Sequence, residues 1–179
     1  MANKTNKLAV SDINKSLFVI PFYQRGYRWT GKNVKQLLTD LLLFANNTDE
    51  QEYCLQPIVL QKISPTKYSN ILNGEESVIR VVDGQQRLTT IAIILRKLGI
   101  ETNWDIYYDS EEKRLSELLD KHSDLSSIND YFRQEVSDAI DEWFMNHKAK
   151  KIDTEQILKD TFSSKNKTIA FPVFSVATP

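Results

Sequence analysis

Cysteine is nearly missing from this chain: Cys54 is the single one in 179 residues. That excludes a disulfide framework and a multi-thiolate zinc site, and it fits a reducing cytoplasm. Histidine is almost as scarce. His122 and His147 lie far apart without ligand spacing, so neither supports a metal site, and no Ser/His/Asp or Cys/His arrangement has local support. No apolar run approaches the roughly 20 residues that span a bilayer. The N-terminus MANKTNKLAV also lacks the apolar core of a signal peptide. The expectation is a soluble cytoplasmic protein with no membrane partner. Cys54 sits in an apolar β run and reads as an inert core thiol.

Net charge is absent too, with 23 Lys and Arg against 24 Asp and Glu. The balance hides a division along the chain. Residues 1–48 carry seven Lys/Arg against two Asp/Glu, and the remainder carries 16 against 22. Within the remainder, 101–142 holds thirteen acids and four bases, which reads as a solvated helix surface. A neutral total can still present a basic face to a polyanion. With 41% hydrophobic residues, the length suits one globular domain, or one domain plus an incomplete second.

Leu17-Phe18-Val19-Ile20 is a β-leaning run closed by Pro21, which predicts an edge or terminal strand. From Thr30, a plausible N-cap, the period changes: Val34, Leu37, Leu38, Leu41 and Phe44 make one helical stripe that ends at Asn46-Asn47-Thr48-Asp49. Tyr53 to Ile63 and Ser77 to Val82 are β-branched runs separated by Ser64-Pro65 and Asn73-Gly74, which predicts a hairpin or short meander. Leu88, Ile91, Ala92, Leu95 and Leu98 form a second helical stripe, with Arg96 and Lys97 at its C-terminal end and Gly99 as cap. Glu111 to Leu119 and Ile128 to Phe144 have helical spacing, joined by a Ser/Asp-rich link at 123–127. Thr168 to Pro179 is β-branched, with Pro172 inside it, and has no partner strand identifiable from sequence.

Two constellations can carry chemistry. The first is Val82-Asp83-Gly84-Gln85-Gln86-Arg87. A strand that opens directly into a helix leaves unpaired N–H groups at the helix start, where an anion is favoured by those donors and by the dipole. Gly84 lets backbone approach a phosphate, and the Arg87 fork matches phosphate oxygens. Asp83 could hold a divalent metal, position a water or bond a ribose hydroxyl. On spacing alone the favoured reading is that Asp83 is the helix N-cap and Arg87 a surface residue. The second constellation is Ile20 to Trp29, in which two Arg and several aromatics interleave on a loop. Aromatic stacking with Arg at the phosphates suits a base or a single strand. Tyr27 and Trp29 alternate and fit core packing better, whereas Tyr23, Gln24 and Arg25 are adjacent and polar at the loop tip.

IPFYQRGYRW (20–29), VKQLLTDLL (34–42), YCLQPIVL (53–60) and VVDGQQRLTTIAIIL (81–95) together resemble the N-terminal domain of the GmrSD-type modification-dependent (type IV) restriction enzymes, marked by the DGQQR signature. YYDSEEKRLSELLD (107–120) and INDYFRQEVSDAIDEWF (128–144) are similar to its later helices, so the likeness covers roughly 15–145. The resemblance implies an α+β fold: a small ParB/sulfiredoxin-like mixed sheet with packed helices over 1–100, then an α-helical continuation over 101–179 that is truncated relative to longer family members. It also implies a bacterial NTPase with Mg2+ that controls cleavage of modified phage DNA, and a separate HNH-type nuclease subunit or domain. It leaves self-association open.

Carried over by position, the implied catalytic residues are Asp83, Gln85, Gln86 and Arg87, with Asp83 also at the metal. The implied nucleotide-binding residues are Tyr23, Gln24, Arg25, Gly84, Gln85, Arg87 and Thr89. Gln56 stands where family members often have Gly, so its side chain would narrow the cleft. A competing reading is a DNA-binding or interaction module that has lost hydrolysis, with Arg25, Arg28 and Lys32 of the basic segment on the phosphate backbone. A third is a truncated, inactive remnant, supported by the apolar C-terminus without a partner.

Overall fold

The computed structural model describes residues 6–120 and 127–177, so His122 and positions 123–126 of the Ser/Asp-rich link lie outside the described residues. In chain order the elements are β1 (Asn6–Ala9), β2 (Ser16–Ile20), α1 (Gly31–Asn46), β3 (Glu52–Cys54), β4 (Ile58–Ile63) and β5 (Ser77–Asp83). They continue as α2 (Gln85–Lys97), β6 (Asp105–Tyr108), β7 (Lys113–Arg114), α3 (Leu115–Asp120), α4 (Ile128–Ala149), α5 (Thr154–Ser163) and β8 (Thr168–Ser175).

One mixed sheet runs in the order β1, β8, β4, β5, β2, β6, β7, with β3 paired beside β8. β2 lies parallel to both β5 and β6, whereas β4 and β5 are antiparallel. This is the expected α+β fold. The division at residue 100 drawn from the sequence runs through the sheet, since β6, β7 and β8 all follow it.

β2 is not an edge strand. All five of its residues are buried between β5 and β6. Pro21 falls just past its last residue, so the missing proline N–H costs no ladder bond, and the Ile20 carbonyl accepts from Asp109 instead. Alternation then sorts the side chains. Phe18 and Ile20 enter the main core with residues of α1, α2, α4 and α5, while Leu17 and Val19 join Tyr68 and Val78 in a small cluster.

The C-terminal run also has partners. β8 is antiparallel to β1 on one side and parallel to β3 and β4 on the other, with Phe171 fully buried. That removes the observation behind the inactive-remnant reading. The remaining differences are local. The run from Tyr53 splits at Gln56-Pro57 into β3 and β4, so the predicted hairpin reduces to the β4 and β5 pair. Helical structure after Tyr108 starts only at Leu115, because Lys113 and Arg114 first pair back onto Tyr108 and Tyr107. The helix from Ile128 runs on to Ala149, and α5 follows it without having been read from the sequence. Cys54 is exposed rather than in the core, and its thiol donates to Glu52 Oε1 at 2.9 Å. That bond raises the thiol pKa.

Because β8 is an interior strand, truncating its buried ring should cost as much as any core deletion. Phe171→Ala is expected to lower stability by about 3–5 kcal/mol, read as a fall in the urea midpoint.

Candidate functional site

Parallel alignment of β2 and β5, Ser16 opposite Ser77 through Val19 opposite Arg80, sets their C-terminal ends side by side. The loop after β2 therefore meets the turn that opens α2, so the two motifs found in the sequence share one place. Ligands of open α/β sheets favour this end of the parallel strands.

Gly84, not Asp83, is the N-cap of α2. Its φ of +92° lies in the left-handed region, and a Cβ there would come within 2.4 Å of Ile58 Cγ2. Only glycine satisfies both demands. The Gly84 carbonyl accepts from the N–H groups of Arg87 and Leu88, both at 3.1 Å. The N–H groups of Gln85 and Gln86 have no intrahelical acceptor.

The glutamines hold the loop. Gln85, which is buried, donates its amide to the Arg25 carbonyl at 2.6 Å. Gln86 donates to the Gly26 carbonyl at 3.0 Å and accepts from the Arg28 N–H at 2.7 Å. From the loop side, Gln24 donates to the carbonyls of Val81 at 2.6 Å and Val82 at 3.0 Å. The stretch just before the first of these anchors stays in solvent. Phe22 and Tyr23 are 72% and 65% exposed, and their rings meet edge to face 5.6 Å apart. Arg25 is exposed beside them. Asp83 is exposed at the end of β5, with Oδ2 3.8 Å from Arg87 Nη2. Arg87 itself donates from Nη1 to Gln56 Oε1 at 2.8 Å and from Nη2 to the Pro57 carbonyl at 2.5 Å.

Thr89 is not brought to this surface. It is 1% exposed, and its hydroxyl is 2.6 Å from Tyr108 Oη. Arg28 is turned inward as well, since Nη1 donates to Asn129 Oδ1 at 2.5 Å and the guanidinium lies over the Phe132 ring. Of the three basic residues expected on DNA, Arg25 and Lys32 remain exposed. Sequence reasoning missed Asn129 and Glu135 of α4. Asn129 lies against Gly26, where a Cβ would come within 1.9 Å of its Oδ1, and Glu135 Oε1 accepts from the Gly31 N–H at 2.8 Å. Nothing in their spacing relates them to a loop a hundred positions earlier.

Beneath the loop, Thr90 donates to the Gln86 carbonyl at 2.8 Å, so the Tyr27 hydroxyl, 2.7 Å from Thr90 Oγ1, donates to that oxygen. Burial pushes the Tyr27 and Tyr108 hydroxyls above the ordinary tyrosine value and takes Tyr108 up to about 12. Among the described residues no group of three or more His, Cys, Asp or Glu could hold a metal. The single Asp83 carboxylate fits a Mg2+ that arrives on phosphates, since such ions keep most of their ligands from substrate and water. A concavity of about 720 Å³, lined by Arg96, Trp104, Asp105 and Arg114 among others, lies at the opposite ends of the parallel strands and includes neither motif.

Two outcomes follow. Gly84→Ala is expected to cost about 1–3 kcal/mol from backbone strain alone, measured by chemical denaturation. As pH rises past about 10, the unfolded chain releases the tyrosine protons that folded Tyr27 and Tyr108 retain. Stability is therefore complete below that value and falls as pH climbs toward the folded value, visible as a declining Tm.

No helix among the described residues is long and apolar enough to cross a membrane. A search of curated proteins gives no match. The family model described as "GmrSD restriction endonuclease, N-terminal domain" matches residues 6–176, beyond both ends of the span that the motifs mark. The loop and the DGQQR turn that face each other here are thus parts of one known domain type, and the chain belongs to the GmrSD restriction endonuclease N-terminal domain family.

Proposed function

We propose that this domain binds and hydrolyses a nucleoside triphosphate, and that this chemistry regulates a modification-dependent DNA restriction system. The observation that carries the reading is the joining of the two motifs at the start of α2, through Gln85 to Arg25 and Gln86 to Gly26. The phosphates would lie against the Gln85 and Gln86 N–H groups, where the helix dipole and open donors favour an anion. Gly84 gives them close approach, and Arg87 supplies fixed positive charge behind them. Phe22 and Tyr23 offer faces on which a base can stack, with Arg25 beside the phosphates.

Phosphoryl transfer needs positioning and charge stabilisation more than covalent help from the protein. A Mg2+ bound with the nucleotide supplies Lewis acidity, and Asp83 is the carboxylate that would hold it or orient the attacking water. Hydrolysis adds that water at the terminal phosphorus and breaks the bond to the bridging oxygen, leaving a nucleoside diphosphate and phosphate. Gln85 and Gln86 act through the loop in this reading, because their amide donors are committed to its carbonyls. DNA and a nuclease subunit or domain would be the downstream partners.

The alternative, a DNA-binding or interaction module without hydrolysis, draws on exposed Arg25 and Lys32. Phosphate release, nucleotide binding and DNA binding measured side by side separate the two. Purified protein is expected to release phosphate from at least one NTP in a magnesium-dependent way, with Arg87→Ala and Asp83→Ala each at least tenfold slower. No release and no nucleotide binding, together with DNA binding that weakens steeply with salt, would favour the alternative.

A further inference from the structure

Gln56 looks at first like an obstruction, a long exposed side chain beside the proposed phosphate site. Its bonding points elsewhere. Arg87 Nη1 donates to Gln56 Oε1 at 2.8 Å, while Nη2 donates to the Pro57 carbonyl at 2.5 Å. A guanidinium has no acceptor, so the Gln56 amide must turn its oxygen toward Arg87. The amide nitrogen, with two N–H bonds, is then held on the other side of the group. Gln56 is exposed, and its Nε2 makes no hydrogen bond to any described residue. The same turn is fixed to the helix start a second way, by Ile58 packed where a Gly84 Cβ would lie. Two contacts thus hold an unused donor beside the first turn of α2.

We propose that Gln56 is a ligand-binding residue of this site, presenting its amide N–H2 to a phosphate oxygen of the nucleotide, and that Arg87 is the positioning residue that orients it. The inference rests on the nucleotide reading above. It assigns the Arg87 fork mainly to the protein, with its charge still felt by the phosphates. Because a phosphate oxygen is the acceptor, Gln56 should serve every nucleotide alike, whatever the base.

Calorimetric titration of the full chain with magnesium ATP, and separately with magnesium tripolyphosphate, tests this. Gln56→Ala should weaken both ligands by a similar factor, about three- to tenfold, as expected for one hydrogen bond. Gln56→Met keeps the side-chain length and removes the amide, and should lose as much. Thermal melts confirm that each variant is folded at the titration temperature. If the wild type binds neither ligand, the nucleotide reading fails and this inference with it. If the wild type binds and either variant binds equally well or more tightly, Gln56 is a clamp or an obstruction, and only this inference is overturned. A loss for ATP without a loss for tripolyphosphate would place the donor on the nucleoside and would also overturn it.

Discussion

Three side-chain amides, those of Gln24, Gln85 and Gln86, tie the loop after β2 to the end of β5 and the start of α2. A loop laid against a core carries backbone carbonyls that need donors, and an unmet one costs more than a made hydrogen bond returns. Each bond is worth only about 1 kcal/mol net. Together they set the register of loop against helix, and several features depend on that register. Phe22 and Tyr23 project into solvent just before the first anchor, the Arg25 side chain is exposed beside them, and Gly31 falls where α1 can begin.

The loop is gripped from behind as well. α4 supplies Asn129 to Arg28 and Glu135 to the Gly31 N–H, and Gly26 admits Asn129 because it has no side chain. Between those two on the same helix, Arg133 is almost fully buried, bonded to Glu111 and Asp130 and set over the Tyr108 ring. Below the glutamines a further line runs from Tyr27 through Thr90 to the Gln86 carbonyl. The candidate site is thus an exposed tip on a base fixed from two directions, an arrangement suited to preorganised donors.

Much of this was legible in the sequence where periodicity or turn chemistry is local. The α1 stripe from Val34 to Phe44 is buried residue for residue, and Gly99 closes α2 as its position after Leu98 suggested. The two motifs could also be read as partners, although only through a family resemblance. What could not be read depends on distant chain. Pro21 looked like an edge signal because the sequence does not say that the ladder of β2 ends one residue earlier. β8 looked unpaired because its neighbours, β1, β3 and β4, begin more than a hundred residues before it. Thr89 was implied as a nucleotide contact by the family resemblance and Arg28 as a DNA contact by the basic segment, but Tyr108 and Asn129 claim them from elements far along the chain.

In the proposed function the N-terminus of α2 and the loop tip form one phosphate-binding surface. The most direct measurement is a titration of 15N-labelled protein with a magnesium nucleoside triphosphate, followed amide by amide. Binding there is expected to shift Gly84 to Arg87 and Tyr23 to Arg25 most, together and at one affinity. Shifts confined to the concavity around Trp104 and Arg114, or no saturable shifts at all, would contradict it.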